Sequence, residues 1–437
     1  MNYSIIDFFT DPVLRGPTWG SIFMCISSSI AGVIVLLRKR SLLGEALSHA
    51  SYPGVALGVS LFASFFSPNG ESFAIFVLVT AFFSSLLGMF AIDFLQKHFF
   101  VKADAALCFV LSSFFGLGVL ISSRIQTTHA TWYKQVQAFL YGQTATMRDV
   151  HIIIYLALCV VTISIVTLLY REIQLISFDK LFGRSLGLNF NFVETAVIFL
   201  TVLAIVIGIR SVGVVMMAGM LIAPALAAKQ IAKSLKSMFF ISASIGAFCG
   251  FLGNYFSVLI PYRMGASKLS LPTGPMILVF ACIVCFFSLL FSFRTGIVAK
   301  YLRMKRFKRK CHLENFLKGF WRRGPEAALR WGDVAKDHNT SPLSTFYYLR
   351  LLVMKGWLTH KNGLYAISPQ GTQKAMDIVR LHRLWELYLV YTGHSKDKVH
   401  ASAEEMEHIL TPDMERQITE VLNDPDIDPH NQPIPKR

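Results

Sequence analysis

Nowhere in the 437 residues is there a GxxxxGK[ST] run, so the chain cannot cradle nucleotide phosphates by that device. Charge is scarce. Asp, Glu, Lys and Arg make up 16% of the chain, where soluble domains carry about a quarter. Acids are scarcer than bases, 26 Asp and Glu against 42 Lys and Arg. The net charge of +16 fits a membrane topology bias, a nucleic acid or an anionic lipid, and excludes none of them. The seven cysteines form no disulfide framework. Cys282 and Cys285 have CxxC spacing but sit in the apolar run 276–290, which reads as a buried helical pair and not as a redox or zinc site. The first residues, MNYSIIDFFTDPVLRG, lack a basic n-region and a small-residue cleavage site, so no cleaved signal peptide is expected.

What is present in excess is apolar sequence: 54% hydrophobic residues and a mean hydropathy of +0.51. Stretches long enough to cross a bilayer lie near 18–37, 51–66, 73–95, 105–122, 151–170, 192–209, 212–228, 238–260 and 274–293. The second is short and holds Pro53 and Gly54, so it is expected to be bent or partly inserted. If the first span runs from outside to inside, the inner loops collect Arg38, Lys39, Arg40, Lys97, Lys102, Arg171, Lys180, Arg184, Lys229, Lys233 and Lys236. Nine spans then leave the C-terminus inside. The run 294–310, with eight basic residues and no acid, agrees and would face the anionic inner leaflet. From about Cys311 the composition is that of a soluble domain. The tail 423–437, with four prolines, reads as extended or loosely ordered.

Glu45 and His49 are four apart in LLRKRSLLGEALSHASYPG, residues 36–54, so a helix puts them on one face. Ionisable side chains at membrane depth line a water-filled path or bind an ion, and a carboxylate with an imidazole suits a divalent transition metal. A solvated interfacial helix is the plain alternative, and the residues alone leave both open. This stretch resembles the signature of the permease subunits of metal-importing ABC transporters, the manganese, zinc and iron group. Their pattern is an Arg-rich turn followed by Gly-Asp-Ala-Leu-Ser-His, and here Glu45 stands where Asp is usual. Further matches follow in register: KADAAL at 102–107, LYG at 140–142, FDKLFGRSLGL at 178–188, VGVVMMAGMLIAPALAA at 212–228 and LPTGP at 271–275. Together they cover about residues 15–295. The resemblance implies that 178–188 is the helix that couples to the ATPase, with Phe178, Asp179, Leu181, Phe182, Leu186 and Gly187 as its contact residues. An amphipathic helix of this kind can dock in a partner's groove; without the resemblance it would read as a surface loop helix. It implies further a separate ATPase chain, an external metal-binding protein, and a homodimer or a dimer with a second permease subunit. The chain is expected not to be an enzyme itself.

After residue 311, segments 313–323 and 327–338 read as helices. Ser341 and Pro342 start another, which runs to about Lys355. Two short strand-like runs, 357–360 and 364–367, flank an Asn362-Gly363 turn. This order is that of a winged helix-turn-helix, whose second helix enters the major groove. Ser341, Ser344, Thr345, Tyr347, Tyr348 and Arg350 are the candidate DNA-facing residues, and Lys361 can reach a phosphate. Winged helices also serve as protein-docking modules, and this recognition helix is aromatic and only mildly basic. Beyond it, His382 and Glu386 share a helix face at i and i+4, and His400, Glu404, Glu407 and His408 fall on a second. Two imidazole–carboxylate faces brought together make a site for a first-row divalent metal.

From about His312 onward the chain resembles the diphtheria-toxin-repressor family of metal-dependent repressors. DPHNQPIP at 428–435 adds to the likeness. By that resemblance His382, Glu386 and His400 form one metal site, and Glu404, Glu407 and His408 another. In the family a Met or Asp of the first helix completes the second site. Asn315 stands there in this chain, with His312 and Glu314 as alternatives, and Lys318 falls where manganese-selective members carry Glu. The family's optional SH3-like domain is not expected. Ligands that are all oxygen or nitrogen suit Mn(II) or Fe(II), with Zn(II) acceptable.

The expected fold is an all-α polytopic membrane domain of about nine transmembrane helices, followed by a soluble winged helix-turn-helix and a helical metal-binding and dimerisation domain. The boundaries are 1–295, a basic linker 296–311, 312–370 and 371–437. The expected function is a permease for divalent metal in a bacterial inner membrane, fused to a cytoplasmic metal-dependent repressor that binds operator DNA either at the membrane or after release by proteolysis in the linker. The alternatives are a C-terminal domain that gates transport in cis without DNA, and a permease for an organic chelate.

Overall fold

The computed structural model describes residues 4–65, 71–128, 130–142, 144, 147–178, 180–186, 190–264, 271–337, 340–396 and 399–436. The chain divides into two compact units, Met1–Ala299 and Lys300–Arg437. The first is helical: α1 (Asp7–Thr10), α2 (Arg15–Leu37), α3 (Leu43–Phe65), α4 (Glu71–His98), α5 (Ala103–Thr128), α6 (Ala130–Tyr141), α7 (Asp149–Leu168), α8 (Tyr170–Phe178), α9 (Lys180–Ser185), α10 (Phe190–Val212), α11 (Val214–Ile231), α12 (Leu235–Arg263) and α13 (Thr273–Phe291). Among the described residues, α2, α4, α5, α7, α10, α11, α12 and α13 are the eight helices long and apolar enough to cross a membrane.

The second expected span, 51–66, corresponds as far as Phe65 to the later part of α3, which starts earlier, at Leu43, and carries Pro53 inside it. Its first half is polar, with Glu45, Ser48, His49 and Ser51, so it fails the apolar test for a span. The bundle buries it nonetheless, packed on α4, α5 and α11. Apolar lipid offers no hydrophobic drive between helices, so close packing and polar contacts hold the bundle. Ser21 Oγ donates to Gly250 O at 3.1 Å, and Ser242 Oγ to Ser29 O at 3.0 Å, joining α2 to α12.

Two sequence motifs meet backbone to backbone. Gly142 (φ 79°) ends the LYG element, and Gly213 (φ 97°) separates α10 from α11. A Cβ on Gly142 would lie 2.4 Å from the Val212 carbonyl carbon, and one on Gly213 would lie 2.5 Å from that of Tyr141. Only glycine permits both the left-handed φ and this approach. Gly274 of LPTGP faces the same point, where an added Cβ would lie 2.9 Å from Val212 O.

The basic stretch 296–311 is helical from Ile297 onward. It forms the first turns of α14 (Ile297–Arg322). Lys, Arg, Leu and Met are good helix formers, and no Pro or Gly interrupts the run before Gly319. Leu313, Phe316, Leu317 and Phe320 then bury one face of α14 against α15 (Trp331–Asp337), α16 (Pro342–Met354) and a hairpin of β1 (Leu358–Lys361) and β2 (Leu364–Ile367). Asn362 and Gly363 both have positive φ, as a two-residue hairpin turn needs. Leu329 bridges to Tyr365, so the segment read as the start of a helix at 327 adds to the wing instead. The remaining helices are α17 (Pro369–Tyr391), α18 (Val399–Met406) and α19 (Pro412–Val421). The proline-rich tail is tied down and not loose: Ile434 is buried, and Arg380 and Arg383 donate to the carbonyls of Pro435 and Pro433.

Candidate metal centre

Three ligand-type atoms converge in the second unit. His382 and Glu386 lie one turn apart on α17, and His400 is the second residue of α18. His382 Nε2 stands 3.2 Å from Glu386 Oε1 and 3.2 Å from His400 Nδ1, and the last two are 2.8 Å apart. An ion held at about 2.0–2.2 Å spaces its ligand atoms about 3 Å from one another, so the residues fit a divalent metal in size and in donor type. His382 and Glu386 are buried; His400 is half-open, which leaves an approach from solvent.

The wider network orients the His382 ring. Glu407 Oε2 is 2.6 Å from His382 Nδ1, the ring nitrogen away from the triangle. A carboxylate on that nitrogen orients the ring and frees Nε2 as a ligand. Burial lowers the His382 pKa, but hydrogen bonds to Glu386 and Glu407 outweigh it and the net shift is upward. Burial raises the Glu386 pKa, but the two imidazoles outweigh it and bring it to about 2. For Glu407, burial again opposes and His382 and Lys318 prevail, so its pKa is lowered.

The other expected ligands do not gather as a second triangle. α18 ends at Met406, so Glu407 and His408 lie in the turn beyond it and face inward, while Glu404 stays on the exposed face. Glu404 Oε1 comes within 3.8 Å of His400 Nε2. His408 Nδ1 is 2.7 Å from Glu314 Oε2. Of the first-helix candidates Glu314 therefore points inward, while His312 and Asn315 are exposed, His312 against the Tyr348 ring. Lys318, buried, donates to Glu407 Oε1 at 2.7 Å. The signal for it was a lysine among the core-facing positions Leu313, Phe316, Leu317 and Phe320.

On α16 the placements are mixed. Ser341 caps the helix and Ser344 closes that cap. Thr345 is fully buried and donates to Ser341 O at 3.1 Å, so it faces no groove. Tyr348 turns inward against Phe316. Tyr347, Arg350 and Lys361 are exposed, and so are Leu343, Phe346 and Met354, which the sequence reading passed over.

In the first unit Glu45 and His49 are half-buried, one turn apart on α3. His49 Nδ1 is buried without a hydrogen bond, and its ring stands edge-on to Phe115. Phe178, Phe182 and Leu186 are exposed at a spacing of four. Asp179, Gly187 and the Leu181 side chain lie outside the described residues.

A family described as "ABC 3 transport family" matches residues 10–292, and "Iron dependent repressor, metal binding and dimerisation domain" matches 368–436. The "Probable metal transport system membrane protein" of Chlamydia trachomatis serovar D is 35% identical over 98% of this chain and 97% of its own. The "Manganese transport system membrane protein MntC" of Bacillus subtilis is 30% identical over 85% of this chain and 83% of its own. Among solved structures, "PsaBC from Streptococcus pneumoniae in complex with Fab" superposes with a TM-score of 0.56 at 26% identity, covering 69% of this chain and 98% of that one. The fold, the motifs and these matches agree: the chain belongs to the ABC 3 transport family and carries a domain of the iron-dependent-repressor type at its C-terminal end.

Proposed function

We propose that the chain is the membrane permease of an ABC importer for a divalent transition-metal ion, and that its C-terminal unit is a metal-dependent repressor that reads the metal admitted. The observation that carries this is the His382–Glu386–His400 triangle, three ligand atoms within hydrogen-bond reach of one another in a chain whose relatives bear the names of metal transport proteins. The all nitrogen and oxygen donor set favours Mn(II) or Fe(II), with Zn(II) acceptable. When bound, the ion would supply a charge that ties the half-open His400 of α18 to the buried His382 and Glu386 of α17. The residues of the chain do the rest: Glu407 holds the His382 ring, and burial of Glu386 excludes water from one side.

In the membrane unit Glu45 and His49 line the path of the metal. Phe178, Phe182 and Leu186 dock on a separate ATPase, an external metal-binding protein delivers the ion, and a second permease subunit completes the pore. Ser341, Ser344, Tyr347 and Arg350 face operator DNA, with Lys361 on a phosphate. The test is a gel shift with residues 300–437, which carry their own core, on the protein's own promoter at low salt. A shift that requires Mn(II) or Fe(II) and weakens with salt is expected. No shift with any metal would overturn the repressor reading.

One observation favours a gate in cis instead. The exposed face of α16 is mostly apolar, with Leu343 at 86% and Met354 at 73% exposure, a surface suited to protein as much as to phosphate. Metal-dependent inhibition of uptake that is lost on removing residues 300–437 would support it. Release of the unit by proteolysis requires a cut near 293–311. Most of that stretch is helix, so the cut needs either local unfolding or the turn at Phe293, whose side chain is 94% exposed. An antibody to the C-terminus should find a soluble fragment; full-length chain alone, in the membrane fraction, would sink release.

A further inference from the structure

Beside the triangle lies a second group of buried polar side chains that it does not use. Glu407 has no exposed side-chain surface, and His408 and Glu314 are nearly as enclosed. His408 Nδ1 is engaged by Glu314 at 2.7 Å, while its Nε2 is buried, makes no hydrogen bond and lies 3.5 Å from Glu407 Oε1. Two carboxylates and an imidazole would make a second cation site. A cation already stands there. Lys318 Nζ, with 6% of its side chain exposed, lies 2.7 Å from Glu407 Oε1, the oxygen nearest His408.

We propose that Lys318 is a built-in cation that takes the place of a second metal ion, so that the C-terminal unit binds one ion per chain. The proposal rests on the sensor reading and sets its stoichiometry. Three points carry it. First, an ammonium and a dication cannot share one buried carboxylate oxygen without strong like-charge repulsion in a medium of low dielectric. Second, the lysine is covalently part of α14 and is therefore always present, while an ion must be recruited from solution. Third, Glu407 divides its two oxygens, Oε2 to His382 and Oε1 to Lys318. The lysine thus holds the carboxylate in the position from which it orients the metal-binding ring. One cation is fixed by the sequence and the other is left to report supply.

The test uses the full-length chain in detergent, dialysed to equilibrium with Mn(II), with bound ions per chain counted by elemental analysis. His400→Ala should lose one ion, and His408→Ala should lose none. Lys318→Ala should gain one, Lys318→Arg should gain none, and Lys318→Ala with His408→Ala should return to the wild-type count. Loss of an ion in His408→Ala alone would overturn the proposal, and so would a folded Lys318→Ala with no gain. If Lys318→Ala does not fold, the His408→Ala count decides. If His400→Ala loses no ion, the sensor reading itself fails, an outcome distinct from the others.

Discussion

At the scale of single residues, the pair at i and i+4 on α17 was legible because helix geometry alone brings His382 and Glu386 together. The contact of Glu407 with Lys318 was not, because 89 residues separate the partners, and that of His408 with Glu314, 94 apart, was suggested only by the family resemblance. Glu407→Gln keeps the shape and removes the charge behind His382. It should lower metal affinity about 10–100-fold by titration, as loss of an orienting partner does. Unchanged affinity would show that the His382 ring needs no such support. The pKa shifts give a second prediction, for residues 300–437 with chelator present. Glu386, lowered from 4.5 to about 2, contributes stability that is complete above pH 4.5 and lost as pH falls toward 2. His382, raised above 6.5, contributes stability that is complete below pH 6.5 and lost as pH rises through its folded value. Melting temperature should therefore peak between these limits. With Mn(II) saturating, the decline on the alkaline side should vanish, because ligands bind metal in their deprotonated forms. A decline of equal size with and without metal would count against the triangle as the site.

Whole elements tell a similar story. Apolar runs gave the eight long helices nearly as drawn, since about twenty apolar residues have few other fates. The helical form of the basic stretch was not legible because its charges show no apolar stripe, yet uninterrupted good helix formers suffice to extend α14 through it. The tail is extended between turns, one of the two states its prolines suggest, but it is not loose, because Arg380 and Arg383 take up the carbonyls that prolines still offer. LYG, VGV and LPTGP were read as separate marks along the chain; the fold makes them one joint. Gly213, at φ 97° and ψ 157°, occupies backbone space nearly reserved for glycine. Gly213→Ala should cost about 1–3 kcal/mol from strain, with more from the clash on Tyr141. Thermal-shift measurement in detergent should show a lowered melting temperature and reduced yield. A wild-type melt would mean that the α10–α11 joint is looser than the contacts indicate.

Across the whole molecule, the contacts divide the chain between Ala299 and Lys300, whereas the composition becomes that of a soluble domain from about Cys311. What composition could not supply is the link between a transported ion and a sensed one. Replacing Glu45 and His49 together with Ala should abolish uptake of radiolabelled Mn(II) while the chain still assembles with its ATPase. Unchanged uptake would remove both residues from the path. Within the second unit, Glu407 reaches His382 of α17 with one oxygen and Lys318 of α14 with the other. A carboxylate with two such commitments is a cross-brace between the His382 ring and the helix on which the winged part is built. Any ion that alters the brace alters the poise of α14, and linkage makes the effect mutual. If the unit is the metal-dependent repressor proposed above, whatever the exposed face of α16 engages would tighten or loosen the hold on the ion by the same factor, so a docking partner would set the metal threshold of the response.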